Sequence, residues 1–162
     1  MQQARSQSLV ALCGWCSAAL GFTRALAGKH HEAESPAVDP LDFARRHGYR
    51  ALEAHALRLM GFVNASQGDQ SVSEQCFRDA VMLARQIGMQ PELALSHHGL
   101  GDLLAHTNRA AEARAEFAMA LELYRSMGMV RNAALIEAQL ESLGSSAKAA
   151  GSMTGVISSV VG

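Results

Sequence analysis

Two groupings in this 162-residue chain combine residue types that could do chemistry. Cys13-Gly-Trp-Cys16 has the spacing of a redox or metal-binding pair. Thiolate chemistry needs a sulfur at a helix N-terminus or beside a cation, usually in a strand–helix–strand setting. Here both sulfurs fall inside a predicted helix, with no second pair elsewhere, and buried small residues account for them. The second grouping is His98, Asp102 and His106, spaced i, i+4, i+8 on one helical face with His97 beside them. Two imidazoles and an acid could hold Zn²⁺ or another divalent ion. The outer pair spans about 12 Å of helix, however, so one ion would have difficulty touching both ends. A polar, solvated face explains the pattern without a metal, and neither metal nor cofactor is expected. His30 and His31 fall in a proline-containing loop and read as exposed. The chain has no G-x-x-x-x-G-K-[ST] loop and no recognisable Ser–His–acid arrangement, so it is expected not to be an enzyme.

The elements that would position these residues follow a repeat. Gly21, Gly61 and Gly101 are 40 apart, as are Ala25, Ala65 and Ala105; Arg45, Arg85 and Arg125; and Gly48, Gly88 and Gly128. A period between about 20 and 50 residues marks a stacked-repeat architecture. Composition agrees with helices, being rich in Ala and Leu, with only eight aromatics and three prolines. The formal charge of −1 leaves no electrostatic footprint for nucleic acid or anionic lipid. Three cysteines make no disulfide framework, which points to a reducing, cytoplasmic setting. Residues 5–28 resemble a secretion signal, but Gly21, Ala25 and Gly28 share the phase of Gly61, Ala65 and Gly68, so they are read as part of the repeat.

In chain order, residues 1–8 are expected to be disordered, followed by a helix from about Leu9 to Leu26. Asp39-Pro40 is a start signal for a short helix over 40–47, with Ser35-Pro36 as the alternative start. Helices are expected over 49–66 and 73–87, with a turn at Gly68-Asp69. On the second of these, Phe77, Ala80, Val81 and Ala84 form one apolar stripe, repeated as Ala113, Phe117, Ala120, Leu121 and Tyr124. Each return helix ends in Arg and then Gly, the chemistry of a helix stop. A last helix over 131–143 presents Ile136, Leu140 and Leu143, with Glu141 in the phase of Gly101, as suits an end-cap facing water. Residues 144–162 read as a flexible tail.

In this register Leu100-Gly101, Leu104, Asn108, Ala113, Phe117 and Ala120 resemble a tetratricopeptide repeat, as do Met60-Gly61, Gly68, Phe77 and Ala80. The first copy matches at Leu20-Gly21, Gly28 and Ala33 but departs at Ala37 and Pro40. The interval is longer than the family's usual value of about 34. Endings such as Tyr124-Arg-Ser-Met-Gly-Met look like the C-terminal arrays of bacterial cyclase- or ATPase-type signalling proteins. The resemblance implies an all-α, right-handed superhelical stack of three hairpins (9–48, 49–88, 89–128) and a capping helix. It further implies that the first helix of each pair lines a concave groove. That face would hold Trp15 and Phe22; His55, Arg58 and Phe62; and His98, Asp102 and His106, with Arg58 as an orienting cation between aromatic anchors. The implied function is a non-catalytic protein-interaction module of a bacterial cytoplasmic signalling system, binding a peptide or partner domain, with no nucleic acid and no membrane. Two alternatives stay open: a homodimer formed through end faces such as Leu9–Leu20, and a metal- or ligand-binding helical protein using His98, Asp102 and His106.

Overall fold

The computed structural model describes residues 40–160, and among them every element is an α-helix. In order these are α1 (Pro40–His47), α2 (Arg50–Gln67), α3 (Gln70–Gln86), α4 (Gln90–His106), α5 (Ala110–Ser126) and α6 (Val130–Val160). The expected 9–26 helix, the Cys13–Cys16 pair, Trp15, Phe22 and the 1–8 segment lie outside the described residues. Each helix packs on the next in sequence, and α2 also touches α4. No described helix is long and apolar enough to cross a membrane.

One backbone device closes each of α1 to α5. Gly48, Gly68, Gly88, Asn108 and Gly128 all take left-handed dihedrals, with φ of 68°, 88°, 68°, 60° and 68°. At each, the following N–H donates back to the carbonyl five residues earlier at 2.9 Å: Tyr49 to Ala44, Asp69 to Asn64, Met89 to Ala84, Arg109 to Leu104 and Met129 to Tyr124. This pairing satisfies carbonyls that a helix end would otherwise leave open. The stops stand 20 residues apart, so the 40-residue period is two equal halves. Asn108 hides this in the sequence, because asparagine tolerates the left-handed region but breaks the glycine pattern.

The apolar stripes pack as their spacing predicts. Phe77, Ala80, Val81 and Ala84 on α3, and Ala113, Phe117, Ala120 and Tyr124 on α5, are buried. The rings of Phe77 and Phe117 each lie on glycine. A Cβ added at Gly61 would stand 2.9 Å from the Phe77 ring, and one at Gly101 would stand 2.6 Å from Phe117. The glycines therefore make room for a ring rather than for a second helix backbone. Phe77 also covers Gly99 of the next pair, where a Cβ would come within 2.5 Å of it. Two core clusters result, one among α1–α3 that takes in Leu93 of α4, the other among α4–α6 that takes in Phe77 of α3. Each thus borrows a residue from the other side.

The C-terminal expectation needs correction. The last helix does not stop at residue 143 but runs on to Val160, so 144–160 is helical rather than an unstructured tail. The chain there has no proline, and Ala and Lys favour helix; glycines such as Gly144 lower the propensity without supplying a left-handed stop. Within the earlier part, Ile136 is buried, Leu140 and Leu143 pack against the core, and Glu141 is exposed.

Two kinds of glycine should therefore fail differently. Gly101→Ala is expected to lose about 1–3 kcal/mol through overpacking, with Phe117→Leu restoring part of it. Gly128→Ala, where added bulk meets nothing within 4 Å, should lose about 1–2 kcal/mol through backbone strain alone, and Phe117→Leu should not rescue it. Urea unfolding of the single and double variants checks both.

Candidate functional site

A groove of about 730 Å³ opens between α2, α3, α4 and α6. Phe62 and Phe77 form its floor, edge to face with ring centres 5.0 Å apart. Gly99 lies under both rings and keeps the floor low. Asp102 and His106 project from α4, and Gln139 enters from α6. The alternate helices α2, α4 and α6 all contribute, and α3 between the first two adds Gln70 and Phe77.

Asp102 is the electrostatic centre of this groove. The Gln139 side-chain amide donates to its Oδ1 at 2.7 Å, and His98 Nε2 stands 3.5 Å from Oδ2. Burial pushes the Asp102 carboxyl above the usual carboxylate value, against the opposing pull of His98, the Gln139 hydrogen bond and His106. The carbonyl Oε1 of Gln139 is itself buried without a hydrogen-bond partner. His106 Nδ1 donates to the Asp102 main-chain carbonyl at 2.7 Å, which fixes its ring against its own helix. His98 sits behind Asp102, edge-on to Phe117 and Tyr124, with Nδ1 3.4 Å from the Tyr124 hydroxyl.

Of the eight residues singled out in the sequence, Phe62, Asp102 and His106 line this groove, and His98 supports it from behind. Among the described residues no group of three His, Cys, Asp or Glu side chains is placed to hold a metal ion. His55 and Arg58 are drawn into a separate buried cluster. Arg58, only 9% exposed, donates from Nε to Glu92 of α4, itself 3% exposed, while His55 Nδ1 lies 3.3 Å from the same carboxylate. The expectation that Arg58 is an open, orienting cation is thus corrected: its charge is consumed in locking α2 to α4. Burial pushes the Glu92 carboxyl up, but hydrogen bonds from His55 and Arg58 and the Arg58 charge outweigh it and hold it below its ordinary value. Arg58 still reaches the site indirectly, its guanidinium carbon lying 5.9 Å from the Phe62 ring centre.

Sequence reasoning missed Glu92, Gly99 and Gln139. Glu92 stands in the first turn of α4 just after Pro91, where an acid is expected for the helix dipole alone. Gly99 has Leu59 at the corresponding place one repeat earlier, so periodicity does not flag it. Gln139 lies 37 residues from Asp102, and no local pattern joins them.

A family model described as the C-terminal part of far upstream element-binding protein matches residues 121–142, from the end of α5 into α6. That 22-residue match includes Gln139 but no other groove residue. No curated protein and no solved structure matches the chain.

The Arg58–Glu92 lock makes a prediction. Glu92→Gln or Arg58→Met alone leaves a buried charge unpaired and should cost about 3–5 kcal/mol, whereas replacing both with apolar residues should cost less than either. The folded Glu92 carboxyl titrates below its unfolded value of about 4.3, so its stabilisation is complete above that pH. It disappears as pH falls through the lower folded value. The stability gap between wild type and Glu92→Gln, followed by urea titration, should close on acidification and not on raising the pH.

Proposed function

We propose that the chain is a tetratricopeptide-like, right-handed stack of helical hairpins that acts as a non-catalytic protein-interaction module in a bacterial cytoplasmic regulatory or signalling system. The groove takes an extended or helical peptide segment, or the edge of a partner domain. The observation that carries this reading is that α2, α4 and α6, the alternate helices, all supply side chains to one groove. An apolar floor flanked by a few converging polar groups is the general form of a recognition site. A second reading, self-association, is favoured by Val130 and Leu135, which are 75% and 51% exposed on α6.

Arg58 is a poor reporter of binding, since its loss unpairs Glu92. Phe62 and Gln139 serve better. Peptides selected from a phage-displayed library on the full chain should compete with one another for a single site. They should bind Phe62→Ala and Gln139→Ala about tenfold or more weakly, and Met119→Ala, exposed on α5, as well as wild type. Selection of no peptide, or of peptides indifferent to the first two variants, would count against the groove. Concentration-dependent sedimentation that responds to Leu135→Asp but not to Phe62→Ala would favour self-association.

A further inference from the structure

We propose that the groove recognises a basic side chain, an arginine or lysine presented by a partner peptide. This rests on the interaction-module reading and names the chemistry of its ligand. The groove lining carries one carboxylate, that of Asp102. Asp102 contributes a half-buried carboxylate, and Gln139, its partner at 2.7 Å, has a buried carbonyl oxygen with nothing to accept from. No lysine or arginine is among the lining residues. Arg58, the α2 cation beside Phe62, is already neutralised by Glu92.

A ligand that completes this set must bring N–H donors and positive charge. A guanidinium or ammonium group does both, forming charge-assisted hydrogen bonds to the half-buried Asp102 carboxylate. A carboxylate ligand would instead set a second anion beside Asp102. The floor fits the same side chains, because the methylene stem of Lys or Arg covers apolar surface while its head stays in polar company. The partly exposed Phe62 ring offers that surface, with the buried Phe77 edge-to-face against it and both rings seated on Gly99. The volume, about 730 Å³, admits the basic side chain together with its peptide neighbours. The upward push of burial on Asp102 agrees: its charge is desolvated and incompletely compensated until a cation arrives.

The test uses the full chain and positional-scanning peptide pools, each with one fixed residue. Pools fixed as Arg or Lys should be retained over pools fixed as Asp or Glu. Asp102→Asn should lower affinity for the basic pools about tenfold while leaving the unfolding temperature unchanged or higher, since it removes a desolvated charge. Ser66, exposed on the groove rim, gives a second pair of variants that leaves the interior alone. Ser66→Arg should weaken and Ser66→Glu strengthen retention of basic pools, and this pair decides the matter if Asp102→Asn unfolds. Preference for acidic or uncharged pools, with binding still lost in Phe62→Ala, overturns the basic ligand and leaves the interaction module standing. Retention of no pool, or retention indifferent to Phe62→Ala, overturns both.

Discussion

The structure depends on a phenylalanine ring lying against helix backbone that carries no Cβ. Phe77 lies on Gly61 of its own hairpin and on Gly99 of the next, and Phe117 lies on Gly101. A glycine inside a helix costs about 1 kcal/mol relative to alanine, and burying a phenylalanine returns about 1.5–3 kcal/mol, so the exchange favours the ring. The Phe77 contact does more than stabilise. One ring against two glycines on different helices sets the depth at which α2 and α4 stand beside each other, and the register of one hairpin is handed to its neighbour.

The second constraint is the common helix stop. Five left-handed residues at intervals of 20, each followed by the same 2.9 Å return hydrogen bond, give α2 to α5 nearly equal lengths. Equal lengths and equal turns bring alternate helices back to the same side with the same faces forward. The groove is a consequence of that regularity, since Phe62, Asp102 and Gln139 come from three helices that share no sequence neighbourhood. Regular backbone thus places irregular side chains together.

What could be seen in the sequence follows from the same division. Features that repeat were legible: the stripes through Phe77 and Phe117, and the stops at Gly48, Gly88 and Gly128. Features that occur once were not. Arg58 and Glu92 are 34 residues apart, and only three-dimensional packing shows that they neutralise each other rather than face a partner. Gly99 and Gln139 have no counterparts in phase, yet one lowers the groove floor and the other closes its wall. The length of α6 escaped because residues 144–162 read as a flexible tail, whereas a helix with no left-handed stop and no proline continues through their glycines and serines as far as Val160.

The two polar systems on α2, α4 and α6 are built to different ends. Glu92 is closed: both of its oxygens are engaged, by Arg58 and His55, and its pKa is held down as befits a satisfied buried acid. Asp102 is open: its carboxyl is pushed up, and the amide that supports it leaves a buried oxygen unpaired. Had the second system served only packing, an apolar pair would fill the space at lower cost, because a half-satisfied buried network is less favourable than none. Local departures of this kind concentrate where a ligand completes the structure. Gly99 ties the two requirements together. Its missing Cβ seats Phe77 for the fold, and Gly99 also lines the groove, so a side chain there would disturb both at once.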